Sequence, residues 1–251
     1  KISTLPNDPN YPQQWGLKNT GQSIVSAGAG DSVTATNNPG LAGADMDIES
    51  AWNVITDCSS IVVAVVDTGV NYNHNDLAAN MWDGGATYPN HGYNYLGTPS
   101  NNPMDQNGHG THVAGIIGAV GNNSVGMSGV CWSVKIMDVR VLDALGVGST
   151  ANIVSGVNFA VSNGAKIINM SLGGTAFDTA FNTSISNART NGVAVIVAAG
   201  NETNNNDTSG RYPCNYTQDN LRCVAALDQR YSPAAYAHFR ITTVDGGAPG
   251  T

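Results

Sequence analysis

Charge is scarce in this chain: only 11% of its 251 residues are Asp, Glu, Lys or Arg, and just 10 are basic. Set against 18 acidic residues, this gives a formal charge of −8, which disfavours a nucleic-acid or anionic-membrane partner. Long apolar runs are missing too. No stretch approaches the roughly 18 consecutive apolar residues of a membrane span, and Lys1-Ile2-Ser3-Thr4 opens no basic-then-apolar leader, so the chain reads as soluble and already trimmed at its start. Cysteine is limited to Cys58, Cys131, Cys214 and Cys223, with no Cys-x-x-Cys pair, which argues against a zinc ribbon or a thioredoxin-type site. Two disulfides in an oxidising compartment are favoured over four buried thiols. No repeat, charge block or linker divides the chain, so residues 1–251 read as a single domain with a sizeable core.

Four β-branched runs stand out: Ser60 to Val66, Val134 to Leu142, Lys166 to Ser171 and Gly192 to Ala199. Continuous runs of this kind suit strands buried on both faces of a parallel sheet. Helix-compatible segments lie between them, Thr111 to Val120, Ala151 to Asn163 and Thr179 to Asn191. Their alternation predicts an α/β fold, a mostly parallel sheet with helices on both faces. In open sheets of this class the site lies beyond the carboxyl ends of the strands, where Asp67, Ser171 and Asn201 fall.

A carboxylate at the tip of a buried strand, as at Asp67, can orient an imidazole and stabilise its cation. Alone it would read as a turn or cap. Asn107-Gly108-His109-Gly110-Thr111-His112-Val113-Ala114-Gly115, however, places a histidine at the start of a small-residue helix, with glycines on both sides that let backbone approach. His109 and His112 are three apart with no intervening Glu, which does not suit a zinc helix. A general base at His109, with His112 packed behind it, fits better. In Ala198-Ala199-Gly200-Asn201 a buried strand delivers an amide able to donate to an oxyanion, a contact typically worth ~3 to 4 kcal/mol of barrier. An isolated Gly-Asn would more often be a turn.

Together, Val65-Val66-Asp67-Thr68-Gly69, the His109 block, Asn169-Met170-Ser171-Leu172-Gly173-Gly174 and Ala198-Ala199-Gly200-Asn201 resemble the signature blocks of the subtilisin-like serine peptidases, in that family's order. Asn7-Asp8-Pro9 and Asn122-Asn123-Ser124-Val125-Gly126 are most similar to its thermitase-like members. The resemblance implies a serine endopeptidase with Asp67 orienting His109, His109 as base and then acid, and Asn201 as oxyanion donor. The family's nucleophile sits in a Gly-Thr-Ser-Met-Ala block beyond an Ala-Pro-Gly turn. Ala248-Pro249-Gly250-Thr251 matches that turn, so the serine is expected beyond Thr251, the fold is expected to lack its C-terminal part, and residues 1–251 alone are expected to be inactive.

The resemblance further implies an extended polypeptide substrate held between Leu145, Gly146, Val147 and Gly148 on one side and Ser171, Leu172 and Gly173 on the other. Its first pocket would be walled by Ser171 to Gly173 and by Ala198, Ala199 and Gly200, with Glu202 at the rim, and would accept large apolar and some basic side chains. Thr150 would be a small lid, and Ile153 a wall, of a more distant pocket. A structural calcium ion is implied at Asp8, Asp76 and Asn123 with the carbonyls of Val120, Val125 and Met127, while a second calcium site would rest mainly on Asp105. Parallel neighbouring strands in this fold imply a Cys58–Cys131 bridge and leave Cys214 to pair with Cys223. A secreted monomer, with its own propeptide as a partner, completes the picture. Of the Asn-x-Ser/Thr sequons, Asn182, Asn206 and Asn215 look free for a glycan. Two other readings remain at this stage: a catalytically silent fragment or pseudoenzyme that binds extended peptides, and a calcium-stabilised adhesion module, which leaves the histidine and oxyanion blocks unexplained.

Overall fold

The computed structural model describes residues 4–24, 33–34, 37–238 and 244–250. Within them the chain forms α1 (Ile48–Trp52), β1 (Asp57–Asp67), β2 (Gly92–Asn94), α2 (His109–Gly118), β3 (Ser133–Arg140), α3 (Thr150–Ser162), β4 (Ile167–Met170), α4 (Thr179–Thr190), β5 (Ala194–Ala198), β6 (Leu221–Leu227) and β7 (Gly246–Pro249). The strands make one sheet in the order β2-β3-β1-β4-β5-β6-β7, and each strand pairs in parallel with its neighbours.

The period-2 alternation of β1 separates two cores. Val63 and Val65 pack with Ala114 of α2 and with Val134 and Ile136 of β3. Ala64 and Val66 point the other way, into a cluster with Val157 and Ala160 of α3 and Ile185 of α4. Helices therefore cover both faces, as the sequence predicts. Side chains such as Val65, Val66 and Ile168 are fully buried, each worth about 1.5–3 kcal/mol relative to exposure. Burial on both faces holds only for the second half of β1. Its first residues, Asp57 to Val62, are exposed or half-buried, and there Cys58 bonds to Cys131. The second disulfide joins Cys214 to Cys223. Both pairings match those the resemblance implied.

Two of the helices, α3 and α4, begin where side chains satisfy their first N–H groups. Ser149 Oγ accepts from the Asn152 N–H at 3.2 Å at the start of α3, and Asp178 Oδ1 from the Phe181 N–H at 2.8 Å at the start of α4.

Four elements escape the sequence patterns: α1, β2, β6 and β7. The segment Ala248-Pro249-Gly250 is not a turn throughout. Gly246 to Pro249 forms the edge strand β7, in register with Val224 to Leu227 of β6. Proline is tolerated there because an outer strand need not donate on its solvent side. Thr251 lies outside the described residues. β1 has β3 on one side and β4 on the other, so the sheet order reverses beside the carboxyl end of β1, which is where Asp67 stands.

Candidate active site

Asp67 is fully buried, and its Oδ1 lies 2.7 Å from His109 Nδ1. The same oxygen accepts from the Thr68 N–H at 2.7 Å. This contact needs α2 to start almost on top of the turn after β1. A Cβ at Gly110 would come 2.2 Å from Gly69 O and 3.1 Å from Asp67 Cβ, so only glycine permits the approach. Gly108 just before the helix takes φ +105°, a left-handed conformation that costs a side-chain-bearing residue.

Asp105 and Thr68 lock this start in place. Asp105 Oδ1 accepts from Thr68 Oγ1 (3.0 Å) and the N–H groups of Asn107 (2.8 Å) and Gly108 (3.0 Å). Its Oδ2 accepts from the Thr111 N–H (3.0 Å) and Oγ1 (2.6 Å). Thr68 Oγ1 in turn accepts from the Gly110 N–H at 2.9 Å. A carboxylate carrying five donors is a capping group, and this is the use the structure makes of the residue expected to anchor a second calcium site. Burial acts to raise the Asp105 carboxyl, but these hydrogen bonds outweigh it and hold it below its ordinary range. Asn107 adds a further brace, accepting from the His109 N–H at 3.1 Å and donating to Ala144 O at 2.9 Å. Thr68 and Asn107 stand in the sequence blocks around Asp67 and His109, and Asp105 is a calcium candidate there, but none of the three has a bracing role in the sequence reading; the Asp-x-Asn-Gly turn composition is the one available signal.

The hydrogen bond to Asp67 raises the His109 imidazole above its ordinary value, against a smaller opposing effect of burial. With Nδ1 given to Asp67, Nε2 is left for other chemistry, and the ring side chain is 48% exposed. His112 differs from expectation: it is exposed rather than packed behind His109. Three positions along the helix it faces an open groove with Trp15, Leu17, Met46, Ile116 and Pro249.

A cleft of about 590 Å³ opens beside His109 and Thr68. Leu145, Gly146, Val147, Gly148, Thr150 and Ile153 line it, as do Ser171, Leu172 and Gly173. Asp143 Oδ1 holds the first of these segments by accepting from the N–H groups of Leu145 (2.8 Å) and Val147 (3.0 Å). Leu145 and Val147 are nonetheless 85% and 64% exposed, apolar edges open among the described residues. Ser171 Oγ accepts from Asn169 Nδ2 at 3.0 Å.

Ala198, Ala199, Gly200, Asn201 and Glu202 do not line this cleft; they follow the end of β5. Asn201 is exposed, and its side-chain amide makes no hydrogen bond among the described residues. Glu202 is not a free rim carboxylate. Its Oε1 lies 2.8 Å from an Arg211 terminal nitrogen, and its Oε2 lies 2.6 Å from Nε2 of the buried His238. His238 Nδ1 contacts Asn206 Oδ1 at 2.7 Å. Asn206 is 1% exposed and so is no glycan acceptor in the folded chain, contrary to the sequence reading. Neither Arg211 nor His238 carries a motif that would have flagged it.

The residues expected to hold calcium do converge. Asp8 and Asp76 are 3% and 2% exposed. Asp8 accepts from the N–H groups of Asn122 (2.7 Å) and Asn123 (3.1 Å), while Asp76 accepts from Asn123 Nδ2 (2.8 Å) and the Met127 N–H (2.9 Å). Val120 N–H reaches Asp76 O at 2.8 Å, and Val125 N–H reaches Asn123 Oδ1 at 2.7 Å. Two buried carboxylates linked through one residue, Asn123, whose backbone N–H serves Asp8 and whose side-chain amide serves Asp76, have no ion-pair partner among the described residues, a set that suits a hard cation. No group of three or more His, Cys, Asp or Glu side chains gathers among the described residues, so carbonyl and amide oxygens would have to complete the shell. No described helix is long and apolar enough to cross a membrane.

Residues 59–246 match the model of the subtilase family. Thermitase of Thermoactinomyces vulgaris is 37% identical over 201 residues, covering 80% of this chain and 66% of that protein. Thermophilic serine proteinase of Bacillus sp. (strain AK1) is 37% identical over 200 residues, covering 80% and 46%. Subtilisin E of Bacillus subtilis is 40% identical over 159 residues, covering 63% and 39%. A protease structure from Pseudoalteromonas arctica superposes with a TM-score of 0.77 at 29% identity, over 98% of this chain and 73% of that one. The chain thus spans between 39% and 66% of the length of these three sequence relatives.

Proposed function

We propose that this chain, which belongs to the subtilase family, carries the acid–base half of a serine endopeptidase whose nucleophile follows Thr251. The observation that carries this reading is the 2.7 Å contact between a fully buried carboxylate, Asp67, and a histidine whose far nitrogen is free beside a cleft. With Nδ1–H donated to Asp67, Nε2 takes the proton of an attacking hydroxyl and later returns it to the leaving amine, while Asp67 stabilises the imidazolium. Asn201 donates its free amide to the oxyanion.

The substrate is an extended polypeptide, held as an added strand between residues 145–148 and 171–173. The exposed Leu145 and Val147 support this, as apolar edges awaiting a partner. Beside the end of β7, Met46 and Ile116 are 41% and 44% exposed in the groove shared with His112. That surface supports a continuing chain that packs there as one catalytic domain. Residues 1–251 alone are then without peptidase activity. Asp8, Asp76 and Asn123, with the carbonyls of Val120, Val125 and Met127, would hold calcium, whose charge would balance the buried carboxylates. Two disulfides support secretion into an oxidising compartment.

The test is hydrolysis of a denatured protein by the chain extended through its nucleophile. His109→Ala should abolish it, and Asn201→Ala should lower kcat by roughly 10² to 10³ with little change in KM. Undiminished turnover in His109→Ala would refute the reading.

A further inference from the structure

We propose that Arg211 sets the charge preference of the pocket for the residue whose carbonyl is attacked, so that the enzyme accepts carboxylate or carboxamide side chains there and rejects basic ones. The proposal rests on the endopeptidase reading above. It starts from an isolated antiparallel bridge between Gly174 and Tyr212, whose N–H and C=O groups pair both ways at 2.8 Å. The bridge presses Arg211 along the Gly173 wall: a Cβ at Gly173 would meet Arg211 Nε at 3.1 Å and Cγ at 3.6 Å. From there the guanidinium reaches Glu202 Oε1 at 2.8 Å. One side chain therefore links Gly173, in one of the small-residue segments expected to wall the pocket, to Glu202, two residues beyond the other.

Glu202 is already committed. Besides Arg211, its Oε2 accepts from the Asn201 N–H at 3.2 Å and lies 2.6 Å from His238 Nε2. His238 is held in turn. Asn206 Nδ2 donates to Ala199 O at 3.1 Å, which turns Asn206 Oδ1 towards His238 and makes Nδ1 the donor of their 2.7 Å contact. A Cβ at Gly200 would collide with the ring at 2.7 Å. A basic substrate side chain would have to displace Arg211 from Glu202. A carboxylate or carboxamide instead meets the Arg211 guanidinium, whose side chain is 21% exposed and whose buried Nε has no partner of its own.

The experiment uses the chain extended through its nucleophile and four peptide substrates that differ only in having Glu, Gln, Phe or Lys before the scissile bond. For the native enzyme kcat/KM should be at least about tenfold higher for Glu than for Lys. Arg211→Gly frees Glu202 and should reverse that order, while Glu202→Gln should leave Glu favoured. A native preference for Lys over Glu would overturn the proposal, as would a Glu-to-Lys ratio within twofold of native in a folded Arg211→Gly. The native ratio decides by itself if that variant does not fold. No cleavage of any of the four substrates or of denatured protein would overturn the endopeptidase reading, and this assignment with it.

Discussion

Replacing Asp67 by Asn exchanges a single group at the buried end of β1. Asp67 Oδ1 accepts from both His109 Nδ1 and the Thr68 N–H at 2.7 Å, while Oδ2 is buried without a partner. An Asn can keep its carbonyl oxygen in the Oδ1 position and so preserve both hydrogen bonds and the histidine tautomer. The flipped amide would set N–H against the Thr68 N–H. The charge is what is lost. Opposite charges about 4 Å apart attract by about 4 kcal/mol at an effective dielectric near 20, and solvent at the half-exposed ring reduces this to roughly 2–4 kcal/mol. The expected fall in kcat/KM is therefore on the order of 30- to 1,000-fold. The pH profile carries a second signature. Because the Asp67 hydrogen bond raises His109 and the base must be neutral, Asp67→Asn should move the acid limb of kcat/KM to lower pH. For stability the sign is the same: a raised folded-state value contributes fully below the ordinary imidazole value of 6.5 and is lost as pH rises through the folded value, a slope the variant should flatten. Both are measured by a pH series of peptide hydrolysis and an NMR titration of the His109 ring. An acid limb that stays in place would refute the reasoning.

Calcium at a hundredfold excess over its Kd should stabilise the fold by about 2.7 kcal/mol, a rise in Tm of roughly 5–10 °C, and Asp76→Ala should abolish that increment. A native Tm indifferent to calcium and chelator would contradict the site. Asp138 lies fully buried on β3, where burial pushes its carboxyl well above 3.8 despite the Val70 N–H donated to Oδ2 at 2.9 Å. A raised folded-state value means that its contribution falls as pH climbs above 3.8. Asp138→Asn should therefore gain on the native chain in Tm with rising pH, and parallel Tm curves would argue against it.

What the sequence reveals depends on whether side chains or backbone carry the signal. β1, β3, β4 and β5 are legible because each buries a β-branched run, and Asp67 and His109 because each ends or begins such an element. β7 is hidden because Gly246, Gly247, Ala248 and Pro249 owe their strand conformation to the free edge of β6. The Arg211, Glu202, His238 and Asn206 cluster is hidden for another reason: its members meet through loops, and no spacing within one element links them. Asn206 shows the cost. Its sequon reads as exposed, yet tertiary packing buries it between Ala199 O and His238. The calcium candidates lie between, with Asp8, Asp76 and Asn123 legible only as a family pattern and joined in space by the loop at 120–127.

The central claim is that Asp67 and His109 activate a serine beyond Thr251. Its most direct test treats the extended chain with a serine-directed phosphonate and locates the adduct by mass spectrometry. One labelled serine after residue 251 is expected, with loss of labelling in His109→Ala. An unlabelled extended chain, or an adduct on a serine within residues 1–251, would contradict it.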